Sequence, residues 1–273
     1  MAIPLIPIVL GASVAKTISD IWTADKYERQ ARNANYEAFS MVESAARNLQ
    51  AQQDKLESTL LKLANRKRGI MSASLPKFVD LYQKIIKIDF QEMRAAENSQ
   101  SVAVANDNFN KISQMISVSG VKMSDREIIC TYLFSFEYGG ISGALKKDAK
   151  INLELASTRA DEAEVIAHNI DTARIAVEGI TAKAESFLKL LAQMNALFLK
   201  SISYSTEIIE RNGFSRQNYS ADDKKVLMNC INFAKAVKDI LEAPLFNPDG
   251  KVNRQIDAAL STGKDYIKKI QAR

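Results

Sequence analysis

The side chains able to do chemistry are few, and none stands beside a second that would complete a reaction site. His168 is the only histidine in 273 residues. A metal centre or a Ser-His-Asp arrangement needs converging partners, and neither another histidine nor a cysteine lies close to it along the chain. A di-iron helical bundle needs two Glu-x-x-His motifs, which one histidine cannot supply. Cys130 and Cys230 are the only thiols; an isolated pair in a chain of this size reads as two buried thiols in a reducing compartment. No GxxxxGK[ST], GxGxxG or HExxH occurs, and Ser261-Thr262-Gly263-Lys264 lacks the strand and glycine that precede a phosphate loop. Asp161, Glu162 and Glu164, like Asp222 and Asp223, have the spacing of solvated helix faces. The expectation is a non-enzymatic protein with no catalytic residue, cofactor, metal or small-molecule substrate.

What remains is the chemistry of surfaces. The net charge of +5 is spread thinly along the chain. It concentrates in Lys62, Arg66, Lys67 and Arg68, which form a candidate basic patch, and in the tail beyond Gly250. Cations in the last turn of a helix also complement its negative dipole end, which gives the cluster a purely structural reading. The basic residues are not interleaved with aromatics along one face, so nucleic acid is a disfavoured partner.

Two apolar stretches are better candidates for contact. Residues 1–15 carry no charge, with Ile3, Leu5, Ile6, Ile8, Val9 and Leu10 close together. At fifteen residues the run is shorter than the ~20 that span a bilayer as a helix. It is long enough to lie in the interface, dip into one leaflet or plug an apolar groove. The first basic residue, Lys16, comes after this run, opposite to the order in a secretory signal peptide, so a cytoplasmic location is expected. The second stretch, 128–145, holds one charge, Glu137, among Leu133, Phe134, Phe136 and Ile141, and Gly139, Gly140 and Gly143 permit a bend. It reads either as a buried helix and turn or as a hydrophobic tip that meets a membrane or partner.

The elements that carry these stretches are helical. Ten glycines, five prolines and 7% aromatics against 47% apolar residues favour helices over a sheet. From Ile166 the apolar residues Ile170, Ala173, Val177, Ile180, Ala184, Phe187, Leu191, Met194 and Phe198 take alternating steps of four and three. That mean period of about 3.5 describes a helix laying one stripe on a partner helix. Asn212-Gly213 supplies its stop. Beyond Phe187, Leu188, Leu190, Leu197 and Leu199 broaden the stripe, so at least three or four helices should meet there. A second long helix carries Ala38, Val42, Ala45, Leu49, Leu56 and Leu60, with Gln52 as an inward, register-setting polar residue and Gly69 as the stop. Ser74 is expected to cap a third helix, with Pro76 in its first turn. Residues 98–108 read as a loop ahead of a short helix over 109–118. Ser124 with Glu127, and Ser220 with Asp222 and Asp223, mark two further helix starts. The last helix, from about Asn253, is amphipathic and basic.

The fold class is therefore all-α: an elongated helical bundle with two long coiled-coil-like helices and several shorter packing helices. It is read as a single domain over 1–273. Its parts are an apolar arm (1–15), a long helix (16–68), short helices (74–120), an apolar glycine-containing tip (124–145), a second long helix (146–212) and terminal helices (220–273). Paired long helices, an apolar N-terminal arm and an apolar glycine tip resemble the layout of α-helical pore-forming toxins. That resemblance is one of architecture and implies pore formation as the strongest form of membrane action. The expected function is helix–helix association with contact to a membrane surface or membrane-bound protein partner, in a homo-oligomer. The alternative is a soluble, self-assembling scaffold with both apolar stretches buried.

Overall fold

The computed structural model describes residues 29–88, 100–134, 160–247 and 252–271. Among them the chain forms helices α1 (Arg29–Gly69), α2 (Leu75–Lys87), α3 (Gln100–Ser119), α4 (Asp125–Leu133), α5 (Ala160–Asn212), α6 (Ala221–Glu242) and α7 (Gln255–Gln271). No strand is present among the described residues; two isolated bridges join Phe134 to Phe246 and Phe246 to Val252. The protein is all-α.

The seven-residue spacing of apolar residues decides which faces meet. On α1, Val42, Leu49, Leu56 and Leu63 are buried, each one heptad after the last. On α5, Ile170, Val177, Ala184, Leu191 and Phe198 do the same. These stripes bring α1 and α5 together. The two helices run parallel, because contacts advance together along the chain: Lys55 pairs with Glu185, Lys67 lies over Phe187, and past the end of α1 Ser74 meets Asn195 and the Phe78 ring lies 5.8 Å from that of Phe198. α3 then returns antiparallel to α2, with the rings of Tyr82 and Phe109 5.4 Å apart. α6 runs back along α5, as the Arg211–Asp223 ion pair and the packing of Phe198 on Phe233 show. α7 runs parallel to α5, through the Lys183–Asp257 ion pair and a close approach of Gly263 to Leu190. A Cβ on Gly263 would sit 2.7 Å from Leu190 Cδ2, so glycine is what lets these helices close.

The helix starts at Ser124 and Ser220 form as expected. Glu127 N donates to Ser124 Oγ while Ser124 N donates to Glu127 Oε2, and Asp223 and Ser220 do likewise. Asn253 Oδ1 accepts from Gln255 N at the start of α7. Gly213 closes α5 with φ +67°, its N–H donating to Ile209 O.

Other expectations need correction. Gly69 does not stop α1: it is right-handed helical, and the chain continues through a π-helical turn, Ile70–Ser74, into α2. The reason is phase. The heptad Val42, Leu49, Leu56, Leu63, Ile70 gives way to Met71, Phe78 and Ile85, the same stripe one residue late. A π turn absorbs one surplus residue, so both halves of the stripe face the same neighbours. Ser74 accordingly caps nothing; it is right-handed helical and donates its hydroxyl to Asn195 Oδ1 at 2.7 Å. Gln53, not Gln52, is the buried glutamine of α1, one step of four beyond Leu49. The loop expected over 98–108 is helical from Gln100, since a helix nucleated by packing at its C-terminal half extends cheaply through alanine-containing sequence. The second long helix is described from Ala160; 135–159 lie outside the described residues, as does the arm 1–15.

Candidate functional site

The described end of the apolar stretch, Leu133–Phe134, is gripped by the strap that leaves the C-terminus of α6. Leu133 O accepts from Leu245 N at 2.8 Å and from Phe246 N at 3.0 Å, and the rings of Phe134 and Phe246 are 5.2 Å apart. Asn253 N donates to Leu245 O at 2.9 Å, tying the same strap to the start of α7. Leu133 is fully buried and Phe134 half-buried. Leu133, expected as a contact residue, is fully buried: α4 packs on α1 and the strap bonds the Leu133 carbonyl, so contact through this side chain requires that cover to open. The other expected contact residues, Ile3, Leu5, Ile6, Ile8, Val9, Leu10, Phe136 and Ile141, lie outside the described residues.

Along the seam, Ile170, Val177, Phe187, Leu191, Met194 and Phe198 are buried. Ile180 is half-buried because Thr181 takes the inward place beside it, its hydroxyl donating to Val177 O. The Ile166 side chain lies outside the description.

The basic cluster does not form one surface. Lys62 and Arg66 are exposed. Lys67 points into the core, where Nζ donates to Leu241 O at 3.0 Å and Ala243 O at 2.6 Å and stands 5.0 Å from the centre of the Phe187 ring. Arg68 crosses to the end of α3, donating from Nε to Ser119 O and from Nη2 to Val121 O. Successive residues on a helix point about 100° apart, so a run of three basic residues cannot share a face. Arg68 supplies cation and donors to the open carbonyl end of another helix instead of its own.

Sequence reasoning missed these roles, and a signal for Lys67 existed. Gln53, Leu60, Lys67, Ser74 and Leu81 recur every seven residues and all are buried. A polar residue in phase with flanking apolar ones is placed inward by its neighbours, whatever its charge.

No constellation for catalysis assembles among the described residues. His168 is exposed. No group of His, Cys, Asp or Glu there is arranged to hold a metal ion. Cys130 and Cys230 are unbridged, and burial pushes both thiols up, away from the reactive thiolate. No described helix is long and apolar enough to cross a membrane. Set against protein-family models, curated proteins and solved structures, the chain matches none.

Proposed function

We propose that this chain is a non-enzymatic, elongated helical bundle whose two long helices pair in coiled-coil fashion. It works by helix–helix association and by contact with a membrane or membrane-bound partner through residues 1–15, the segment 128–145, or both. The observation that carries the reading is the clasp on Leu133 and Phe134. Two amide hydrogen bonds and a ring contact fix the point from which an almost uncharged stretch departs, so the body can present that stretch without unfolding. Burying about 600 Å² of apolar area in a bilayer is worth on the order of 15 kcal/mol before ordering costs. Pore formation is the strongest form of this function, and a cytoplasmic starting location goes with it.

Liposome co-sedimentation tests it. The full chain is expected to sediment with vesicles, and Ile6→Asp with Leu10→Asp, or Phe136→Asp with Ile141→Asp, to abolish this. Vesicle binding unchanged in both double variants, or absent in the native chain, defeats the membrane reading. Dye leakage accompanied by a rise in mass would establish pore formation.

A second reading has its own support. Met41 on α1 and Ile175 on α5 are 58% and 57% exposed on the paired long helices. Such side chains suit a soluble scaffold that self-assembles along those helices, with both apolar stretches covered.

A further inference from the structure

Lys67 and Lys238 are both buried, and their partners differ in the respect that matters most to an ammonium group. Lys238 Nζ donates to Asp239 Oδ1 at 3.0 Å and Glu242 Oε2 at 2.9 Å. Burial pulls its pKa down, and these carboxylates reverse the effect and hold it above the usual lysine value. Lys67 has no carboxylate partner among the described residues. Its side chain is fully buried against two backbone carbonyls and a phenyl ring, and burial brings its pKa from 10.5 to about 7.

The charged groups on every neighbouring element are engaged elsewhere or exposed. On α1, Arg66 faces solvent and Arg68 reaches the end of α3. On α5, Lys183 pairs with Asp257 of α7 and Glu185 with Lys55. On α6, Asp239 and Glu242 hold Lys238. On α4, Asp125, Arg126 and Glu127 occupy the first turn, with Glu127 bound to Ser124.

The two carbonyls stand where α6 gives way to the strap: Leu241 is in its last turn, Ala243 is its C-cap, and two residues further on Leu245 and Phe246 grip Leu133. Lys67 is therefore the tie between α1 and the segment that anchors Phe134. We propose that Lys67 is a pH-operated latch: as a neutral amine it holds the strap against α1, and as an ammonium it favours an open strap that frees Phe134 and the chain beyond. A neutral amine has two N–H donors for two carbonyls. An ammonium brings a third donor and a full charge. The C-terminal carbonyls of α6 and the Phe187 ring face meet that charge in part, but with no carboxylate among the described residues around it they do not replace its lost hydration until the strap opens. The proton is taken from solvent and returned to it. The latch does not depend on the membrane reading.

Opened, Lys67 titrates near 10.5; closed, near 7. Between these limits the open state alone carries the proton, so opening falls about tenfold for each unit rise in pH. The test is amide hydrogen exchange of Leu245 and Phe246 in the full chain, measured by NMR from about pH 7.5 to about 9.5, inside the window that the two values set. Intrinsic exchange rises about tenfold per unit while opening falls by the same factor, so these two amides should exchange at a nearly constant rate. In Lys67→Met the rate should climb about 100-fold over the same range. Native rates that climb as in the variant overturn the latch. Should Lys67→Met not fold, the chemical-shift titration of Lys67 Nζ in the native chain decides. A midpoint near 7 supports the latch, and one shared with the surface lysines overturns it.

Discussion

Ser74 and Asn195 make one hydrogen bond that ties the π turn to α5. The Ser74 hydroxyl is buried in the π turn and donates to the Asn195 side chain on α5. Ser74→Ala leaves that carbonyl oxygen without its donor in a half-buried site, at a cost of about 1 kcal/mol in urea unfolding. Asn195→Ala should cost a similar amount, and the double variant less than the sum, since both remove one interaction. Equal additive losses would mean that the two side chains act separately. Lys67 makes a different residue-scale prediction, with a sign opposite to that of a salt-bridged lysine. Below about pH 7 folded and unfolded chains both hold its proton, and it adds no pH dependence. Between that value and 10.5 only the unfolded chain holds it, so folding stability rises with pH. Urea midpoints across this window should rise in the native protein and lose that part of the rise in Lys67→Met.

At the scale of elements, the π turn Ile70–Ser74 explains why a helix that should have ended does not. Ile70 and Met71 are both buried, and they belong to successive phases of one stripe. A surplus residue in a heptad repeat would rotate everything after it by about 100°; widening one turn returns Phe78 and Ile85 to the core. Deleting Ala73, an exposed residue of the turn, should therefore restore a continuous α-helix and leave the thermal midpoint within a few degrees of native. Deleting Ser58, exposed in regular helix, should rotate Leu60, Leu63 and Lys67 out of place and prevent cooperative unfolding. Calorimetry distinguishes these outcomes; equal damage from both deletions would refute the phase argument. The capped starts of α4 and α6 were legible in sequence because Ser124–Glu127 and Ser220–Asp223 act within four residues. The start of α3 at Gln100 was not, because its first half has no apolar pattern of its own to read.

For the whole molecule, the two functional readings diverge in what the long helices do in solution. If Met41 and Ile175 mediate self-assembly, Met41→Asp with Ile175→Asp should reduce the mass found by light scattering to that of a monomer. If the chain instead meets a membrane through its apolar segments, that variant should keep both its mass and its vesicle binding.

Composition and periodicity determined that the protein is all-α, that Ile170, Val177, Phe187, Leu191, Met194 and Phe198 of α5 turn inward, and where α4 and α6 begin and α5 ends. These are local properties: a period of about 3.5, a serine three residues ahead of a carboxylate, and a glycine free to take a positive φ. Only the tertiary structure decided that α1 and α5 run parallel, that the chain passes Gly69 without stopping, that Leu133 is core, and that Lys67 lies inside while Lys62 remains outside. Each of these depends on contacts between residues more than a hundred positions apart. Lys67 with Ala243 and Ser74 with Asn195 are such pairs, and no pattern within one helix encodes which carbonyl or amide will wait across the interface.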